Sequence, residues 1–164
     1  MSTEQQLIEH LKKLSDSPTL ILTIGNILKG DDGAGPLICK QLSKAKISAE
    51  LIDAGTVPEN YIHKIIKMAP KNMLVIDAID FGEKPGTIKI FKPEQLNSLV
   101  ISTHTLSPRL FVDMIRQNIK LDVHFIGIQP AQIELGQSIS EQVDRAIRLL
   151  CDILIGVFAH KHQQ

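Results

Sequence analysis

Short apolar runs alternate with longer amphipathic stretches along this chain. Leu20 to Ile24 (LILTI) is apolar almost throughout and stops at Gly25-Asn26, the pattern of a buried strand. Pro36 opens PLICKQLSK, a short helix with proline in its first turn. Glu50 to Asp53 (ELID) reads as a second strand. Thr56-x-x-Glu59 then has the form of a capping box ahead of a helix over Pro58 to Met68. On that helix Tyr61, Ile62, Ile65 and Ile66 share one face. Met73 to Ile76 (MLVI) is the most strand-like run, and it ends at Asp77. Thr87 to Phe91 (TIKIF) alternates like a half-buried or edge strand. Ser107-Pro108 predicts an N-cap and first helical position, followed by a stripe of Leu110, Phe111, Met114 and Ile115. Val123 to Ile128 (VHFIGI) is a further strand. A last helix is expected from about Ser140 to Phe158, with Ser138-x-x-Glu141 as a capping box near its start.

The order is one helix followed by repeated strand–helix units. That predicts an α/β fold: a three-layer αβα sandwich around a mostly parallel, twisted sheet of about five strands. The turn-rich stretch FGEKPG at 81–86 connects two strands directly, and 97–106 has no period, as a long functional loop would not. With 164 residues the chain is expected to be a single domain over 1–164. Within it, 1–18 is a helical N-terminal extension, 19–158 the α/β core and 159–164 a flexible tail.

Composition narrows the function. Apolar residues make up 43% and aromatics 4%, so the core is aliphatic. Eighteen basic and eighteen acidic side chains give zero formal charge, without the basic excess that nucleic-acid binding needs. No apolar run approaches the roughly 20 residues that span a bilayer. The N-terminus is charged and amphipathic rather than a signal peptide, so a cytoplasmic location is expected. Cys39 and Cys151 are far apart and sit in apolar helical patterns, as reduced core cysteines do.

In an open α/β sheet ligands bind beyond the carboxyl ends of the strands. The segment after the first strand, Gly25 to Pro36, carries four glycines and the pair Asp31-Asp32. Asp77-Ala-Ile-Asp80 follows the third strand, and Ser102-Thr-His104-Thr lies in the aperiodic loop. Asp32, Asp77 and His104 form a candidate O, O, N donor set. Such a set suits nickel, zinc, iron or manganese, with positions left open for water or a substrate carbonyl. Each also has an ordinary alternative: strand-end aspartates cap helices and form turns, and a lone loop histidine is commonly polar surface. Asp77 ends a buried run, where an unpaired carboxylate would be costly. Asp80 is a candidate supporting group behind the ligands, or a turn residue. The other histidines, His10, His63, His124, His160 and His162, have no comparable setting. The tail pair His160 and His162 is either an adventitious metal binder or a frayed end. The loop from Gly25 to Gly30 superficially resembles a phosphate loop but lacks Gly-Lys-Ser/Thr, and its aspartates would repel phosphate. Asp53-Ala-Gly55 resembles half of an aspartic-protease dyad, in a single copy.

Five blocks, GNILKGDDGAGP at 25–36, IDAGTVPEN at 52–60, LVIDAIDFGEKPG at 74–86, STHTLSP at 102–108 and FIGIQP at 125–130, resemble the hydrogenase maturation protease family. They look closest to the branch serving membrane-bound, hydrogen-evolving enzymes. The resemblance covers about residues 19–155. It implies that Asp32, Asp77 and His104 are metal ligands and the catalytic centre, with Asp32 standing where many relatives carry Glu. It implies an endopeptidase that clips a C-terminal extension from a nickel–iron hydrogenase large-subunit precursor once nickel is inserted. The cut is expected after a basic residue. Nickel is then the recognition element, supplied by the precursor, and other divalent ions are expected to fill the site in vitro. A metal-binding assembly factor without cleavage is the alternative, and a nucleotide-binding module a more distant one. The segment before Thr19 is longer than is usual for the family, and the resemblance gives it no role.

Overall fold

A computed structural model describes residues 1–96 and 106–159. The described elements are α1 (Thr3–Ser15), β1 (Thr19–Thr23), α2 (Ala34–Ser43), β2 (Glu50–Asp53), α3 (Ile62–Met68), β3 (Asn72–Ala78), β4 (Ile88–Phe91), α4 (Pro108–Arg116), β5 (Asp122–Ile128) and α5 (Glu141–Val157). The five strands form one sheet in the order β2-β1-β3-β5-β4. Four are parallel, and β4 runs antiparallel to β5 at one edge. The expected mostly parallel sheet and the direct β3–β4 connection are therefore present.

The sheet is buried on both faces. One apolar cluster joins it to α1, α2 and α5 through side chains such as Leu11, Ile38, Leu42, Ile147 and Leu154. The other joins it to α3 and α4 through Ile62, Ile65, Phe111, Val112 and Ile115. Strands covered on both sides need continuous apolar runs rather than alternation. Accordingly every residue of β1 and β3 is buried, while edge strand β4 is mostly half-exposed.

The departures from the expected elements lie at their ends. Helix α2 begins two residues earlier than Pro36, because a 3-10 turn over Gly30–Gly33 feeds directly into it. Thr56 and Glu59 do not form a capping box. A 3-10 turn over Pro58–Tyr61 precedes α3, and its cap position is Val57, which makes no side-chain cap bond. Ser138 is likewise not the cap of α5; Ser140 is, accepting from the Val143 amide at 3.4 Å. The α4 stripe is shifted. Phe111, Val112 and Ile115 face inward, and Leu110 and Met114 stand in solvent. Ser107 caps α4 as expected, accepting from the Leu110 amide at 3.1 Å.

Helix α1, the N-terminal extension, is docked by Leu11 and Leu14 and by a polar clasp. His10 Nε2 on α1 lies 3.0 Å from His124 Nδ1 on β5, and His124 Nε2 lies 2.9 Å from Asp122 Oδ2. Burial lowers the His10 pKa from its usual 6.5, and the nearby His124, Lys13 and Lys92 add to this against the opposing pull of Asp122. A base with a lowered folded pKa stabilises the fold above its unfolded value, and that contribution is lost as pH falls below 6.5. The melting temperature is therefore expected to drop on acidification from pH 7 toward 5, and to drop less in a His10→Asn variant. Parallel melting curves across that range check it; identical slopes would remove His10 from the pH response.

Candidate active site

The sheet order sets the location. From β1 the chain moves to β2 on one side and later to β3 on the other, so the order reverses between β1 and β3. A crevice opens at such a switch point beyond the carboxyl ends of the strands. Asp32 follows β1, and Asp77 occupies the next-to-last position of β3. The Ile24 amide donates to the Ile76 carbonyl at 3.0 Å, holding the two strand ends together. The 3-10 turn that carries Asp32 packs against β3.

The local sequence explains how the turn comes so close. At Gly25 an added Cβ would lie 2.0 Å from the Asp32 carbonyl oxygen, and at Gly35 it would lie 2.3 Å from the Ile24 carbonyl oxygen. Only glycine allows the backbone to fold back on itself at both points. The Asn26 amide donates to Asp32 twice, to its carbonyl at 3.1 Å and to its Oδ2 at 3.0 Å. Asp32 is 0% exposed and Asp77 3%. Two acidic side chains are thus held in buried positions at adjacent strand ends, where a fold alone gains little from carboxylates. Their oxygen donors fit a divalent cation in an open coordination sphere. His104 lies outside the described residues, as does most of the aperiodic loop. Among the described residues no three His, Cys, Asp or Glu side chains stand close enough to hold an ion.

Asp31 turns its carboxylate the other way. It is 0% exposed and accepts four hydrogen bonds from the segment after β5. Its Oδ2 takes the amides of Ala131 (2.8 Å) and Gln132 (3.0 Å) and the Ser140 hydroxyl (2.9 Å); its Oδ1 takes the Ser140 amide (2.7 Å). Asp31 therefore ties the turn that bears Asp32 to the cap of α5. Sequence reading missed this clamp, because nothing local in GDDG says which aspartate faces a partner over a hundred residues away. Gln129 does similar work on the other side. Its Oε1 accepts from the Phe81 and Glu83 amides, and its Nε2 donates to Asp80 Oδ1 at 3.0 Å. Asp80 is exposed and also accepts from the Gly82 amide at 3.2 Å, so its bonds shape the turn after β3.

The remaining candidates settle into structural roles. Asp53 Oδ1 accepts from the Gly55 amide at 3.1 Å and the Thr23 hydroxyl at 3.4 Å, closing a turn after β2. In the glycine-rich loop every amide from Leu28 to Asp32, and those of Gly25 and Asn26, donates to an acceptor of the protein itself. A phosphate cradle needs such amides free. Cys39 and Cys151 are buried free thiols; burial raises both pKa values, that of Cys151 to about 11. A neutral buried thiol is a poor nucleophile. No helix among the described residues is long and apolar enough to cross a membrane.

Comparison with known proteins finds relatives of this chain in sequence and in fold. The family model for hydrogenase maturation proteases matches residues 37–157. The Hydrogenase 3 maturation protease of Escherichia coli is 32% identical over 139 residues, covering 84% of this chain and 88% of that protein. The crystal structure of a NiFe hydrogenase maturation protease HycI from Thermococcus kodakarensis superposes with a TM-score of 0.83 at 27% identity, covering 92% of this chain and 99% of that one. The solution structure of the endopeptidase HycI from Escherichia coli gives a TM-score of 0.77 at 32% identity, covering 85% and 90%.

Proposed function

The chain belongs to the hydrogenase maturation protease family, and from that premise we propose that it is an endopeptidase acting on the large-subunit precursor of a nickel–iron hydrogenase. It removes the C-terminal extension of the nickel-loaded precursor, in the branch serving membrane-bound, hydrogen-evolving enzymes. The observation that carries this reading is the pair of buried carboxylates, Asp32 and Asp77, held at the switch point between β1 and β3.

In this reading nickel is part of the substrate. Asp32, Asp77 and His104 complete the coordination of the ion that the precursor presents. A divalent ion so held supplies Lewis acidity at the scissile carbonyl or to an attacking water. The protein's own contribution is to orient Asp32 through Gly25, Asn26 and Asp31, to hold Asp77 on β3, and to keep bulk water away from both. Two carboxylates and one imidazole make a sparse site, so the free protein binds divalent ions weakly. The buried free thiols suit a reducing compartment, in keeping with a cytoplasmic enzyme.

The test uses nickel-free and nickel-loaded precursor, each incubated with the protease and weighed by mass spectrometry. The expected result is loss of one C-terminal peptide from the nickel-loaded form alone. Cleavage of nickel-free precursor with chelator present throughout would overturn the gating by nickel. Binding without cleavage would make the protein an assembly factor.

A further inference from the structure

Large apolar side chains stand in solvent on three loops at the carboxyl end of the sheet. Ile27 is 66% exposed, Leu28 62%, Val57 41% and Leu135 72%. The loops are laced side by side. The Gly25 amide donates to the Gly55 carbonyl at 2.9 Å, joining the loop after β1 to that after β2. The Gly136 amide donates to the Leu28 carbonyl at 2.9 Å, joining the loop after β1 to that after β5. The loops carrying Val57, Ile27 with Leu28, and Leu135 therefore lie side by side along one rim. That rim is attached to the site itself, because Asn26, whose amide donates to the Asp32 carbonyl oxygen and to its Oδ2, directly precedes Ile27.

We propose that this rim is a docking surface for the protein substrate, which presents an apolar patch beside the segment to be cut. The proposal rests on the endopeptidase reading above. The fold gains nothing from exposing these side chains, and an apolar patch beside a site marks a contact made with something else. Its size favours a substrate over a second copy of the chain. Four partly exposed side chains offer only a few hundred Å², whereas a stable pair buries about 800 Å² on each partner. A contact of that size suits a partner that arrives, is cut and leaves. Next to the apolar residues in sequence stand one cation and one anion, Lys29 after Leu28 and Glu134 before Leu135, so apolar contact rather than a single-sign charge steers the fit. A short peptide spanning the cut lacks the patch and is a poor substrate.

The test is a Leu28→Ser, Leu135→Ser double variant assayed on nickel-loaded precursor beside the wild type, with melting temperatures and sedimentation of both. Neither side chain belongs to the ligand set, and both are exposed, so the fold is expected to be unchanged. The expected result is a KM raised about tenfold or more, a kcat within about twofold, and monomers in both proteins. An unchanged KM, with the wild type cutting normally, overturns the rim and leaves the endopeptidase reading standing. A wild-type dimer that the double variant abolishes assigns the rim to self-association and also overturns the proposal. A wild type that does not cut nickel-loaded precursor fails the endopeptidase reading, and the rim with it.

Discussion

An Asp77→Ala variant is expected to fold like the wild type and to process nickel-loaded precursor at less than about a thousandth of its rate. Asp77 forms the next-to-last pair between β3 and β5, opposite Gly127, with its backbone bonds fixed by the sheet. Those bonds do not depend on the side chain. Relief of the buried carboxylate's desolvation offsets the side-chain interactions that are lost, so the melting temperature should stay within about 5 °C. Processing is another matter, because a ligand that holds a Lewis acid in place lowers the barrier by several kcal/mol, about three orders of magnitude in rate. The check is the processed fraction with time beside circular dichroism and a melting curve. Normal processing would remove Asp77 from the mechanism. Lost processing with a lost fold would assign it to the scaffold instead.

The second large effect is expected at Asp31. An Asp31→Ala variant leaves the amides of Ala131, Gln132 and Ser140 and the Ser140 hydroxyl without their shared acceptor in a buried setting. Each such loss costs about 1–3 kcal/mol, but waters and relaxation recover part of the sum. A net loss of about 3–5 kcal/mol is expected, which lowers the melting temperature by roughly 10 °C or more. Asp31→Asn should fall between. If its carbonyl oxygen takes the Oδ2 place, three of the four donors keep an acceptor and the amide group faces the Ser140 amide. Processing should fall in the same order at a temperature where all three proteins are folded, since the turn carrying Asp32 loosens with its clamp. Denaturant titration measures the stability, and a graded activity series that follows it supports a positioning role. An Asp31→Ala protein with wild-type stability would show that the loop after β5 holds the turn by other means.

The contrast between these two aspartates and their neighbours shows what the sequence makes legible. Buried parallel strands demand unbroken apolar runs, so β1, β3 and β5 stand out, and the polar residues just beyond them are easy to single out. That reading singles out Asp77 and Asp32, and both are buried in the fold. The strand order was not legible, because lateral pairing depends on which faces the helices cover rather than on any one segment. Capping went wrong where two hydroxyl residues competed: Ser138 has the spaced glutamate, yet Ser140 caps α5 because Asp31 holds it there. Leu110 and Met114 have helical spacing but face outward, since the apolar arc of α4 centres on Val112. His104 lies outside the described residues, so the third expected ligand rests on the sequence motif alone.

The clamp also has a consequence for how the protein comes into being. Asp31 and the Ser140 that it grips are 109 positions apart. During synthesis the glycine-rich turn leaves the ribosome long before its partner exists. Central strands β1, β3 and β5 also pair in parallel over long separations, Thr19 opposite Asn72 and Asn72 opposite Asp122, a topology that folds slowly because long loops must close first. The acidic turn is thus held in working geometry only after the start of α5 has been made. A nascent chain stopped before Ser140 carries both aspartates but lacks the Ser140 half of the clamp and the whole of α5, so the turn gains its full set of bonds only when translation is nearly finished.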